Sequence, residues 1–122
     1  KTCKSQLSVM KVNGPEISKY GVIITDNKTG LVKGIIEKPD FESAPSDLAS
    51  IGRYVLTPDI FDILRNQSFG AGGEIQLADS INVQAANNMV ETVLLNGKRF
   101  DCGSVKGYVE AIKDIALNYK FD

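Results

Sequence analysis

The chain has 122 residues, 43% of them hydrophobic and 24% charged, with a formal net charge of -1 and no histidine. That length and balance fit one soluble globular unit with a modest core. The near-neutral charge argues against a nucleic-acid-binding surface, and no apolar run approaches the ~20 residues of a membrane span.

Without histidine, Ser-His-Asp and Cys-His catalysis and His-based metal sites are excluded. Chemistry falls to carboxylates, lysines, backbone amides or a carboxylate-held metal. Cys3 and Cys102 match no disulfide framework or zinc spacing, and there is no signal-peptide pattern, so a cytoplasmic location is the default expectation. The polar lead Lys1-Thr2-Cys3-Lys4 runs straight into a strand with no initiator methionine, and a fragment is the local expectation.

In chain order, partial alternation predicts a strand over 6–12, broken by Asn13-Gly14-Pro15, with a single turn over 16–19. A short apolar strand over 21–25, the turn Asp26-Asn27-Lys28-Thr29-Gly30 and a returning strand over 31–37 make a hairpin. Residues 39–47, with Pro39 and Pro45, read as a loop, and 48–56 as a third extended segment. Thr57 as N-cap, Pro58 at the first helical position and Asp59 in the first turn start a helix whose buried face is Ile60, Phe61 and Leu64. The glycine-dense stretch 70–73 reads as a flexible loop before a helix over 74–87, with Leu77, Ala78, Ile81 and Ala85 at helical spacing. A strand over 90–95 ends at the turn signal Asn96-Gly97, residues 98–100 extend again, and Asp101-Cys102-Gly103 is a break. Ser104 caps a last helix with an apolar stripe of Val105, Tyr108, Ile112, Ile115, Ala116 and Tyr119. The whole is a single mixed α/β unit, mainly antiparallel, with helices packed on the sheet.

Glu37-Lys38-Pro39 on its own is a common tripeptide and reads as a strand end with two solvated charges. Its company gives it weight, because Tyr20-Gly21-Val22 lies across the hairpin at the same open end. Gly21 lets a ligand approach the backbone, Glu37 can accept from sugar hydroxyls, and Lys38 can meet a phosphate. Asp101 reads either as a turn aspartate or as a magnesium ligand, since magnesium takes one or two carboxylates plus phosphate oxygens. Gly70-Ala71-Gly72-Gly73 lacks the lysine and Ser/Thr of a P-loop and reads as a loop only. Gly52, inside a strand, is a weak binding candidate with an equal packing reading. Cys102 reads as a small half-buried residue, and Tyr54, Phe61, Tyr108 and Tyr119 as core.

Tyr20-Gly21-Val22, Glu37-Lys38-Pro39, Gly73-Glu74-Ile75-Gln76-Leu77-Ala78-Asp79 and Phe100-Asp101-Cys102-Gly103 together resemble the bacterial UTP–glucose-1-phosphate uridylyltransferases, of the sugar nucleotidyltransferase family. The resemblance covers nearly the whole chain but only the C-terminal half of that family. Gly73 stands where an acid is common and Ala78 where threonine is common. The resemblance implies the C-terminal portion of a Rossmann-like nucleotidyltransferase fold, α/β with a mixed, largely antiparallel sheet. Residues 1–122 would form a single sugar-phosphate-binding portion, and the glycine-rich UTP-binding half would be absent. It implies a transferase of UDP-glucose biosynthesis that uses UTP, glucose 1-phosphate and Mg2+. Tyr20, Gly21, Glu37, Lys38 and Gly52 would bind substrate, Lys38 and Asp101 would serve catalysis, and Asp101 would be one of two metal carboxylates.

On this reading the chain alone is inactive. A related thymidylyl- or adenylyl-transferase, and a non-catalytic sugar-phosphate-binding or assembly module, stay open. Neither nucleic acid nor membrane is expected as a partner. Homo-oligomerisation is expected, because a lone half exposes apolar faces and an unpaired edge.

Overall fold

Ser5, Leu7 and Val9 alternate with half-buried neighbours along the first strand, so one face of it meets a core. In the computed structural model, which describes residues 2–70 and 73–119, this strand, β1 (Ser5–Lys11), is next to the edge of a five-stranded sheet. The others are β2 (Gly21–Thr25), β3 (Val32–Glu37), β4 (Leu48–Val55) and β5 (Val90–Leu94), in the order β3-β2-β4-β1-β5. All pairings are antiparallel except β1 with β5. The expected mixed α/β architecture, with a largely antiparallel sheet, is therefore the observed one.

The β2–β3 hairpin turns where the sequence indicates. The carboxylate of Asp26 accepts from the backbone N–H groups of Lys28 (2.9 Å) and Thr29 (2.8 Å), and Gly30 takes a left-handed φ of 71°. Beyond the hairpin, Leu31 makes an isolated antiparallel bridge to Glu91 of β5. The two outermost strands thus touch at this end, and the sheet curls on itself.

Helices α1 (Ile60–Asn66) and α2 (Leu77–Ala86) cover one face. Ile60, Ile81 and Ala85 pack there with Leu7, Val9, Ile23, Val32, Ile35 and Val90 in the main core. Asn82 of α2 also serves the exposed edge of β3. Its Oδ1 accepts from the Ile35 N–H (2.7 Å) and its Nδ2 donates to the Ile35 carbonyl (3.2 Å), which occupies backbone groups that an open edge would leave unpaired. On the other face, a 3-10 turn at Pro15–Lys19 buries Ile17 against Val22 and Ala49.

Several expectations are corrected. Thr57 does not cap α1 with its side chain, and the N-cap position falls on Asp59 without a side-chain cap bond. The Thr57 hydroxyl is engaged elsewhere: it accepts from Gln84 Nε2 (2.9 Å) and lies 3.1 Å from the Ser5 hydroxyl, which donates to Gln84 Oε1 (2.7 Å). Phe61 is exposed, because the short α1 presents only Ile60 and part of Leu64 to the core. Tyr54, Tyr108 and Tyr119 are exposed too, as is Cys102. Residues 98–100 form no strand. Of the 70–73 loop, Ala71 and Gly72 lie outside the described residues.

The last helix, α3 (Val105–Asn118), starts where expected, with Ser104 Oγ accepting from the Gly107 N–H. Its apolar stripe is not buried: Val105, Tyr108, Ile112 and Ile115 are exposed, and only Gly107 and Ala111 are covered. Helical periodicity marks an apolar face without supplying a partner for it.

Candidate functional site

The site begins with a register. In the β2–β3 hairpin Gly21 faces Glu37, as the sequence predicts. With no side chain on Gly21, the Glu37 carboxylate folds over the bare backbone. A Cβ at Gly21 would stand 2.8 Å from Glu37 Oε2 and 3.1 Å from Ile35 Cγ2. The chain then turns sharply at Lys38, whose φ of 47° is left-handed. A bond from its N–H to the Tyr20 carbonyl (3.0 Å) ties this corner down.

β4 forms the adjoining wall. Its pairing with β1 slips between Leu7 and Val9, and Gly52 lies in the slipped stretch with φ 73°. Beyond its two chain neighbours, no atom of the described residues lies within 4 Å of where its Cβ would be, so backbone conformation rather than crowding accounts for the glycine. Ser50 and Tyr54 flank it with their hydroxyl oxygens 3.1 Å apart.

Tyr20, Gly21, Glu37, Ser50, Gly52 and Arg99 line one hollow of about 260 Å³, slightly below the roughly 300–1,000 Å³ of drug-sized ligand pockets. Asp101 lines a second hollow of about 340 Å³, with Lys19, Ser104 and Lys106. Tyr20, Lys19 and Arg99 border both hollows. The structure therefore gathers Tyr20, Gly21, Glu37 and Gly52 in one place and sets Asp101 in the next. Lys38, which is exposed, lines neither. A larger apolar groove between α1 and α2, bordered by Ile63 and Val83, holds none of the predicted site residues.

Lys19 is paired with Glu16 (2.8 Å). Hydrogen bonding to that carboxylate, and its charge, hold the Lys19 pKa above the usual lysine value, with smaller contributions from Tyr20 and Asp101. Arg99 was not singled out by the sequence. Its guanidinium carbon lies 5.3 Å from the centroid of the Tyr20 ring, and its Nη1 donates a long bond to the Tyr20 hydroxyl (3.4 Å). The run Lys98-Arg99-Phe100 carries no periodicity, and only its position just ahead of Asp101 hinted at a role. Ser50 was not singled out by the sequence, and Tyr54 was read there as core.

Asp101 Oδ1 accepts from the Gly103 N–H (3.1 Å). Among the described residues no group of three or more acidic, cysteine or histidine side chains is placed to hold a metal. A single partly free carboxylate fits a cation that takes its remaining ligands from phosphate oxygens and water. No helix among the described residues is long and apolar enough to cross a membrane.

Residues 1–118 match the nucleotidyl transferase family model. The chain is 49% identical over 108 residues to a UTP–glucose-1-phosphate uridylyltransferase of Pseudomonas aeruginosa, covering 86% of this chain and 39% of that protein. It is 45% identical over 125 residues to one of Streptococcus pyogenes, covering 98% of this chain and 40% of the relative. Its backbone superposes on a crystal structure of UDP-glucose pyrophosphorylase complexed with UDP-glucose with a TM-score of 0.83 at 43% identity, over 95% of this chain and 45% of that one. The chain thus spans about two fifths of the length of these curated relatives.

Proposed function

This chain belongs to the nucleotidyl transferase family, and we propose that it is the sugar-phosphate-binding part of a UTP–glucose-1-phosphate uridylyltransferase. The whole enzyme would join UTP and glucose 1-phosphate into UDP-glucose and release pyrophosphate. One observation carries this reading: Gly21 and Glu37 are paired, with the carboxylate folded over a bare backbone, in a hollow that also holds Tyr20 and Gly52. A bent carboxylate above an accessible main chain suits vicinal sugar hydroxyls, which donate to the first and accept from the second.

In this reaction an oxygen of the sugar phosphate attacks the α-phosphorus of UTP in line, the bond to the bridging oxygen breaks, and pyrophosphate leaves. No covalent protein intermediate is required, so the protein works by positioning and by offsetting charge. Tyr20, Gly21, Glu37 and Gly52 hold the sugar. Lys38, exposed at the corner next to Glu37, meets the phosphate as the ligand enters. Asp101 would hold Mg2+, which when bound offsets repulsion between the two phosphate groups. The residues that grip UTP lie in the part of the enzyme outside these 122 residues, which act as one unit. The two exposed free thiols, Cys3 and Cys102, suit a reducing cytoplasm. The uncovered stripe on α3 supports self-association into a homo-oligomer.

The test is pyrophosphate release by the full-length protein with glucose 1-phosphate, Mg2+ and each of UTP, dTTP and ATP. UDP-glucose formation with UTP preferred is the expected result. Preference for dTTP or ATP would move the protein to a related transferase, and no turnover with any of them would overturn the enzyme reading.

A further inference from the structure

Arg99 stands at the seam between the hollow that holds Glu37 and the one that holds Asp101. It is half-buried. Among the described residues its only polar contact is the long bond to the Tyr20 hydroxyl, and no carboxylate pairs with it. Lys19, the other cation bordering both hollows, is tied to Glu16. A guanidinium has five N–H donors in a rigid fork, and here the Tyr20 ring already supports its plane. A fork held in this way loses little freedom when it closes on an anion, and its geometry matches two phosphate oxygens at once.

From this juxtaposition we propose that Arg99 is a binding residue for the phosphate group of the sugar phosphate. It grips that group between the Glu37 hollow and Asp101, and so aims the attacking oxygen toward the metal side. The assignment rests on the function proposed above for its choice of ligand. It adds to Lys38 a second cation, one that borders the hollow itself where Lys38 does not.

The experiment compares the full-length wild type with Arg99→Ala, Arg99→Lys and Tyr20→Leu, with folding checked by circular dichroism and thermal melting. Arg99→Ala should raise KM for glucose 1-phosphate about 10- to 100-fold, the change expected for loss of a charged hydrogen bond, with KM for UTP within twofold. Arg99→Lys should recover part of the loss, since it restores charge without the fork. Tyr20→Leu, which removes the support under the guanidinium together with a wall of the sugar hollow, should raise the same KM. An unchanged KM for glucose 1-phosphate in a folded Arg99→Ala protein overturns the assignment. So does a rise for UTP alone, or an equal rise for both substrates, which would mark a structural role. A wild type that forms no UDP-glucose overturns the function instead. Calorimetric titration of glucose 1-phosphate into wild type and Arg99→Ala then decides the Arg99 assignment: weaker binding by the variant upholds it, and equal or absent binding overturns it.

Discussion

Gly107 rests directly on the main-chain carbonyl of Asp101. A Cβ at Gly107 would collide with the carbonyl oxygen and stand 2.8 Å from its carbon and 3.0 Å from Ser104 Oγ. The same short stretch is closed by Ser104, whose hydroxyl donates to the Asp101 carbonyl (3.3 Å) while its oxygen accepts from the Gly107 N–H (3.1 Å). The first turn of α3 and the carboxylate-bearing turn are therefore one rigid piece, and a glycine makes that possible.

Gly107→Ala should displace Asp101, because the obstructing atoms are backbone. We expect destabilisation of about 1–3 kcal/mol, typical of overpacking, and at least a tenfold fall in turnover of the full-length enzyme with KM for glucose 1-phosphate little changed. Ser104→Ala, which removes the cap and the long bond to the Asp101 carbonyl without crowding the turn, should cost about 1 kcal/mol. Chemical denaturation and steady-state kinetics on the two variants would separate these outcomes, and wild-type turnover in Gly107→Ala would mean that the turn can relax freely.

Lys38→Ala in the full-length protein should weaken glucose 1-phosphate far more than UTP. Equal losses for both would remove the assignment. Because Lys38 sits at φ 47°, Lys38→Gly offers a control: it loses the same charge but relieves a conformation that costs a non-glycine residue of order 1 kcal/mol. The glycine variant should melt at or above the alanine variant while sharing its kinetic defect.

Asp101→Asn should abolish turnover while leaving the circular dichroism spectrum unchanged, since the amide keeps the carbonyl oxygen that accepts from Gly103. The 122-residue chain alone should show no tight Mg2+ binding by calorimetry, because one carboxylate makes a weak site. Near-normal turnover in the variant would exclude Asp101 from the mechanism.

The isolated chain should not form UDP-glucose. In-line attack needs the α-phosphorus fixed, and none of the groups assigned above grips a triphosphate or a base. A coupled pyrophosphate-release assay with UTP, glucose 1-phosphate and Mg2+ should read no higher than its Lys38→Ala control, and turnover above that control would mean the nucleotide site has been misplaced.

Acid should destabilise the fold in a defined window. Asp26, Asp59 and Glu91 all have lowered carboxyl pKa values. The causes are, respectively, backbone N–H bonds from Thr29 and Lys28, bonds from the Thr57 hydroxyl and Gln84 amide, and bonds from the Thr2 hydroxyl and Gln6 amide. Each carboxylate stabilises the fold while ionised. The stabilisation is fully present above the unfolded values near 4 and is lost as pH falls through the lower folded values. Melting temperature measured from pH 6 to pH 2 should drop below about pH 4, and Asp26→Asn should flatten part of that drop. At neutral pH, Gln84→Leu should cost about 1–3 kcal/mol, because it removes the acceptor of the buried Ser5 hydroxyl and the amide that donates to Thr57 and Asp59.

Much of this was legible in the residues, and the parts that were not have physical reasons. The Gly21–Glu37 pairing could be read because the turn residues from Asp26 to Gly30 set the hairpin and the apolar pattern of β2 set its register. The Thr57 hydroxyl was misread because capping is a local rule, while it meets the Asp59 carboxylate together with Ser5 and Gln84, which are distant in sequence. The α3 stripe showed an apolar face but not what covers it. Arg99 gave no signal beyond its place just ahead of Asp101, because its support is a ring, Tyr20, that only the fold brings beneath it.

The bridge from Leu31 to Glu91 has a bearing on motion. It fastens the first residue after the hairpin turn to a strand at the opposite side of the sheet, so β3 cannot swing away from β5 without breaking it. Glu91 is further anchored by hydrogen bonds from Thr2 and Gln6. Breathing of the sheet should therefore start at the other end of β3, at the Glu37–Lys38 corner proposed above to meet the sugar phosphate. In hydrogen-exchange terms, the amides around Leu31 and Glu91 should be slow while those beside Lys38 exchange early. Because the clasp sits at the turn, closure of the hairpin over a sugar would hinge there and strain the Lys38–Tyr20 bond at the far end.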